Sequence, residues 1–174
     1  MRIIAGEFRS RRLKTLPGLD TRPTPDRLRE TLFNIIAPEI EDCTFLDAYA
    51  GSGAVGIEAL SRGAAQAVFI ERNKPAADII RENLVLLGLT KRTEVLQGRV
   101  LQYLSKRKAD VVFLDPPYSL ELEYTESLNQ LGIDPPPLTI AQHAVRYILQ
   151  DQYGCLRRTR IVKQGDNSLS FFRP

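Results

Sequence analysis

Asp115-Pro116-Pro117-Tyr118 follows the apolar run Val111-Val112-Phe113-Leu114 without a break. A carboxylate, two imide bonds and an aromatic ring after a buried strand present hydrogen-bond acceptors and a flat stacking surface from one loop. Each proline holds its own φ at about −65° and keeps the preceding residue out of the α region, so Asp115 is extended and its acceptors stay in place. Such a loop suits a planar amine, with Asp115 and the Pro116 carbonyl as acceptors and Tyr118 as the stacking platform. A rigid turn with a capping aspartate would use the same four residues, so the rest of the chain must decide.

A second group lies upstream. Phe45-Leu46-Asp47 leads into Gly51-Ser52-Gly53-Ala54-Val55-Gly56, a G-x-G-x-x-G between a strand and a helix. Glycines let the backbone turn sharply and approach a ligand, and a helix N-terminus offers free N–H groups. Glu71 stands twenty residues after Gly51 at the end of the next strand, where a carboxylate accepts hydrogen bonds from ribose hydroxyls. Gly51, Ser52, Gly53, Glu71 and Arg72 are therefore the candidate binding residues of an adenosine-type cofactor, either NAD or S-adenosylmethionine. Asp47 suits an amino-acid ammonium better than a pyrophosphate, and 174 residues leave little room for a hydride-acceptor domain. Methyl transfer to an amine is the favoured chemistry.

These loops need a parallel sheet behind them. From residue 45 onward, short apolar runs alternate with helical patterns, as in a sheet with crossover helices. Strands are expected at 44–48, 67–70, 94–96, 111–114 and 138–141, with an antiparallel pair at 157–162 and 168–172. Helices are expected at 54–62, 75–87, 100–104 and 121–131. Thr24 is placed to cap a further helix that opens with Pro25, buries Leu28, Leu32, Ile35 and Ile36, and ends at Ala37-Pro38.

Composition excludes other classes. Apolar residues at 43% and charged residues at 26% fit a globular chain rather than a disordered one. No run approaches the ~20 apolar residues of a membrane helix, and the start carries no signal-peptide pattern, so a cytoplasmic location is expected. Cys43 and Cys155 lie far apart and form no metal motif; both read as reduced packing residues, and no metal is expected. His143, the only histidine, reads as a packing residue. The net charge is only +3, yet residues 1–29 carry +5 and the remainder about −2. A basic arm on a near-neutral body points to a polyanionic partner. Arg9, Arg11, Arg12 and Lys14 are its candidate phosphate contacts, while Phe8 and Leu13 suggest that it packs against the body. Arg157, Arg158 and Arg160 read as a solvated strand face.

The ordered set of motifs resembles the bacterial small-subunit ribosomal RNA guanine-N2 methyltransferase family (RsmD-like). The likeness rests on Thr21-Arg22-Pro23-Thr24-Pro25-Asp26-Arg27, on Ala50-Gly51-Ser52-Gly53, on Glu58-Ala59-Leu60-Ser61-Arg62-Gly63-Ala64 and on Asp115-Pro116-Pro117-Tyr118. It runs over nearly the whole chain. The resemblance implies a Rossmann-like, seven-stranded class I fold with a basic N-terminal extension, S-adenosylmethionine as donor, and a guanine of small-subunit rRNA as acceptor. The substrate would be either the free rRNA or the rRNA within an assembling subunit particle. Within one methyltransferase domain, residues 1–40 would form the arm and its helix and 41–174 the catalytic core. Asp115, Pro116 and Tyr118 would be catalytic. From their place before the cofactor loop, Arg22, Thr24 and Arg27 are candidates to border either the methionine end of the donor or the RNA, and Arg22 and Arg27 are taken with the arm as RNA contacts. Two positions depart from the family pattern: Arg99 replaces the usual Asp or Asn near the adenine, and Gln142 stands where relatives often carry Glu. The alternatives are a small NAD(P)-dependent oxidoreductase, which leaves Asp115-Pro116-Pro117-Tyr118 unexplained, and an inactive ribosome-assembly factor, for which Arg99 is the only argument.

Overall fold

The computed structural model describes residues 1–16, 24–117 and 119–174. Its centre is one sheet in the order β3-β2-β1-β4-β5-β8-β7-β6. The strands are β1 (Thr44–Asp47), β2 (Gln66–Glu71), β3 (Thr93–Gln97), β4 (Val111–Leu114), β5 (Leu138–Ala144), β6 (Gln152–Tyr153), β7 (Leu156–Gln164) and β8 (Asn167–Arg173). β1 to β5 pair in parallel, and β5, β8, β7 and β6 pair antiparallel. The expected seven strands are present; the eighth, β6, is a two-residue edge segment with no pattern to announce it.

The inner parallel strands β1, β2, β4 and β5 are largely buried on both faces because helices cover both, while the edge strand β3 is partly exposed. The helices are α1 (Asp26–Ile35), α2 (Ala37–Ile40), α3 (Ala54–Ser61), α4 (Lys74–Leu86) and α5 (Leu122–Leu131). One core layer joins Phe45, Phe69, Phe113 and Ile140 to α1, α3 and α4; the other joins Leu46, Val112, Leu114 and Ala141 to α5. Strand order reverses between β1 and β4, and ligands of such sheets bind at the carboxyl ends beside that switch point. Among the described residues, no helix is long and apolar enough to cross a membrane.

Three local expectations are corrected. Thr24 does not cap α1: Pro25 stands at the N-cap without a side-chain bond, and Thr24 is used elsewhere. α1 ends at Ile35, just ahead of Ala37-Pro38 as expected, and those two residues open the further short helix α2, since proline at the first turn lacks only an N–H that would be unpaired. The stretch 100–104 forms two short 3₁₀ turns rather than one helix. Cys155 is exposed, whereas Cys43 is buried as expected.

The basic arm packs. Residues 1–13 fold back on themselves, with the Ile3 and Leu13 N–H groups donating to Arg11 O (3.0 Å) and Met1 O (3.0 Å). Ile3 and Leu13 are buried in the α1 and α3 layer. Glu58, fully buried on α3, accepts from the Ile4 N–H (2.8 Å), the Ala5 N–H (3.0 Å) and Arg62 Nε (2.8 Å). Its second cationic neighbour is the fully buried Arg29, at 3.9 Å, which donates onward to Arg2 O (2.6 Å) and Asp26 Oδ1 (3.1 Å). At the other end of the arm, the Asn83 carboxamide accepts from Lys14 N (2.8 Å) and donates to Lys14 O (3.1 Å), as a strand neighbour would.

Candidate active site

A cavity of about 1250 Å³ opens at the carboxyl ends of β1, β2 and β4. Asp47, Glu71 and Asp115 line it, as do Gly51, Ser52, Arg72 and Pro116, so the fold brings both sequence groups to one place. The volume is large for a single small ligand and admits a nucleoside cofactor with a second base beside it.

The glycine loop is built by two constraints. Gly53, at the N-cap of α3, has φ +78°, which side chains other than glycine's adopt only with strain. Gly56 is needed for close approach, because a Cβ there would lie 2.3 Å from the Phe69 ring on β2. That approach lets the Gly56 N–H donate to Asp47 Oδ2 at 2.9 Å. Glu71 holds the loop from the other side, accepting from Gly51 N (2.8 Å) and Asn73 N (2.7 Å). A Cβ on Gly51 would meet no protein atom within 4 Å, so the cradle there is open to a ligand.

Asp47 is 1% exposed, and burial pushes its carboxyl up to about 7, against the Gly56 hydrogen bond and with the help of nearby Glu71. Asp115 is likewise pushed up to about 7, first by burial and then by the Asp47 charge, while the Thr24 hydroxyl, 3.4 Å from Oδ2, opposes the rise. A desolvated carboxyl with no cationic partner among the described residues is what an incoming ammonium or sulfonium would restore to its charged form. Glu71, the open loop and Asp47 thus fit the ribose, the close backbone approach and the ammonium of an S-adenosyl amino acid.

These raised values make a prediction about stability. The unfolded chain releases both protons near pH 4, while the native chain keeps them to about pH 7, so stability falls as pH rises through that window. Asp47→Asn keeps an acceptor for the Gly56 N–H and removes the charge. Its thermal midpoint should fall less between pH 5 and 8 than that of the parent, a relative gain on the order of 1–3 kcal/mol at pH 8. An unchanged slope would mean that Asp47 titrates normally.

Several expected residues stand elsewhere. Gly53 acts through backbone conformation and does not line the cavity; Arg9, Arg11, Arg12, Lys14 and Arg27 also stand outside it. Arg9 sits at the turn of the arm, its N–H donating to Gly6 O (3.2 Å), next to Phe8, whose N–H donates to Ser61 Oγ at the far end of α3 (3.0 Å); Lys14 Nζ pairs with Glu82 at 2.9 Å. Arg22 and Tyr118 lie outside the described residues. His143 points to the α5 side, its Nδ1–H donating to Ala144 O (3.0 Å) and its Nε2 accepting from the Ser170 hydroxyl (2.9 Å), a packing role; burial lowers its pKa. Of the three strand arginines, Arg158 bonds to Leu149 O (3.2 Å) and pairs with Asp151, while Arg157 and Arg160 are exposed. Arg99 is exposed on the cavity wall beside Val100 and Ile70, so the departure from the family pattern faces the ligand space.

Sequence reasoning missed Tyr49 and Gln142 as lining residues and Thr24 as a partner of Asp115. Tyr49 lies inside the glycine-loop segment and its hydroxyl pairs with Ser127 Oγ at 2.9 Å. The polar break that Gln142-His143 makes after an apolar strand was the available signal for Gln142.

Fold and site together define an S-adenosylmethionine-dependent methyltransferase. The chain belongs to the family described as conserved hypothetical protein 95, whose profile matches residues 1–173. A candidate rRNA methyltransferase of Bacillus subtilis, YlbH, is 34% identical over 99% of this chain and 98% of its own length. The Escherichia coli ribosomal RNA small subunit methyltransferase D is 41% identical over 75% of this chain, and the match covers 66% of that relative. Among solved structures, the Escherichia coli methyltransferase candidate yhhF superposes with a TM-score of 0.86 at 34% identity, over 99% of this chain and 97% of that one. The names of these relatives agree with the RsmD-like resemblance of the motifs.

Proposed function

We propose that this protein is a cytoplasmic enzyme that methylates the exocyclic N2 amine of a guanine in small-subunit ribosomal RNA. The observation that carries the reading is Asp115 and Pro116 opening into the same cavity as Asp47, Glu71 and the glycine loop. The names of the relatives support rRNA as the substrate class, and the basic arm supports a polyanionic partner.

The exocyclic amine is a poor nucleophile because its lone pair is delocalised into the ring. Asp115 and the Pro116 carbonyl accept its two N–H bonds, which localises the lone pair and fixes its direction. Tyr118 stacks on the base, which must be swung out of its RNA context to enter the cavity. S-adenosylmethionine, when bound, supplies the electrophilic sulfonium methyl. Asp47 holds its ammonium, Glu71 its ribose hydroxyls, and Gly51-Ser52-Gly53 lets the backbone approach, with Arg72 at the rim. Once the methyl has been transferred, the amine carries a surplus acidic proton that passes to Asp115 or to water.

The test is to incubate rRNA from a strain lacking the gene with the protein and labelled donor, and to identify the methylated nucleoside. N2-methylguanosine at one position is expected; label in another nucleoside, or none, overturns the reading. Because Asp115 works as an acceptor, kcat/KM should rise with pH up to about 7, the value to which its carboxyl is pushed in the free enzyme.

Arg9, Arg11, Arg12, Arg22 and Arg27 are proposed RNA contacts, with Lys14 already tied to Glu82. A triple variant, Arg9→Gln, Arg11→Gln and Arg12→Gln, should lower the slope of log affinity against log salt by about 2–3. Filter binding across a salt series checks this; an unchanged slope would route the RNA over another surface.

A further inference from the structure

We propose that Gln142 reads the guanine edge next to the clamped amine, and so selects guanine over other bases that carry a 2-amino group. The inference rests on the guanine-N2 reading above.

β4 and β5 run in parallel with Leu114 opposite Ala141, so the next residues stand side by side, Asp115 just beyond the end of β4 and Gln142 still within β5. Neighbouring strands lie about 4.8 Å apart. Alternation along the strands puts Leu114 and Ala141 in one core layer and Phe113 and Ile140 in the other, so Asp115 and Gln142 share the second face. The Gln142 backbone is fixed on both sides: it pairs with Leu169 of β8, and its carbonyl accepts from the Tyr124 hydroxyl at 2.7 Å. The side chain is 3% exposed and lines the cavity, yet among the described residues Oε1 has no hydrogen-bond partner. A buried, unpartnered amide oxygen costs stability unless something arrives to satisfy it.

Guanine supplies the missing partner. With both N2 hydrogens on Asp115 and Pro116, the adjacent atoms on the same edge are the N1–H donor and then the O6 acceptor. A carboxamide offers an acceptor and a donor side by side, so Oε1 takes N1–H and Nε2 gives to O6. 2,6-Diaminopurine keeps the reactive 2-amino group but has a bare acceptor at N1 and a donor at position 6. With the carboxamide in the orientation that pairs with guanine, it would face Gln142 acceptor to acceptor and donor to donor.

The experiment uses synthetic RNA carrying either guanine or 2,6-diaminopurine at the position methylated in rRNA. The unmodified enzyme should prefer guanine by about 100-fold or more in kcat/KM, because a site built to pair polar groups rejects an analogue that leaves them unpaired. Gln142→Leu should bring that ratio below about 10-fold, through loss on guanine, with S-adenosylmethionine affinity and melting temperature retained. Gln142→Glu, which still accepts N1–H, should fall between the two. Equal losses on both bases, or an unchanged ratio, overturn the assignment while leaving the N2 reading intact. Failure of the unmodified enzyme to form N2-methylguanosine in rRNA overturns both.

Discussion

Asp115→Ala is expected to abolish nearly all methyl transfer, a loss of about 100- to 1000-fold or more in kcat, while the protein stays folded. Removing one preorganised polar group at a reacting centre costs about this much elsewhere. Here the carboxylate both orients the amine and is available to its departing proton. Asp115→Asn keeps a carbonyl acceptor in the same place and should retain activity between the two. Neither change should weaken the fold, because the Asp115 carboxyl is desolvated and pushed up to about 7, and among the described residues its hydrogen-bond partner, Thr24, stands at a long 3.4 Å. Above pH 7 both variants should melt no lower than the parent, since they remove a buried charge. Single-turnover methylation of deficient rRNA, read beside thermal melts and donor binding, checks this. An active Ala variant would place the chemistry elsewhere.

Glu58→Ala should have the largest effect on stability, about 3–5 kcal/mol. The carboxylate is fully buried and accepts from two backbone N–H groups of the arm and from Arg62, with Arg29 at 3.9 Å. Its removal leaves buried donors unpaired and the Arg29 guanidinium without its nearest buried counter-charge, and among the described residues Arg29 Nε and Nη1 already lack hydrogen-bond partners. The arm should detach before the sheet melts. Hydrogen exchange at Ile4, Ala5 and Phe8 would then speed up more than at β1 or β4, and the thermal midpoint should drop by roughly 10 °C or more. Retained protection at Ile4 and Ala5 would show that the apolar contacts of Ile3 and Leu13 alone hold the arm.

Much of this protein is legible along the chain. The apolar runs that became β1, β2 and β4 are too short and too uniformly apolar for surface strands, and the intervening periodic segments left crossover helices as the cover. The cofactor loop was readable because phosphate- and nucleoside-binding turns need small residues at fixed spacing. Those constraints are local, so sequence carries them. Asp115-Pro116-Pro117 was readable for the same reason: proline stiffens a loop wherever the rest of the fold puts it.

What sequence left open was decided across the sheet. Thr24 looked like a helix cap and instead bonds to Asp115, a residue 91 positions away. Glu58 sat in the middle of a helical segment with no mark of burial, and is buried because the arm and α1 both close over it. Gln142 became a cavity residue only through the register of β4 and β5, which puts it beside Asp115. Sequence determined the local geometry of each loop and the chemistry that geometry permits, because backbone sterics and side-chain type act over a few residues. Tertiary structure alone decided which buried polar groups meet and which are left without a partner, because desolvation depends on what packs against a group and not on its neighbours in the chain.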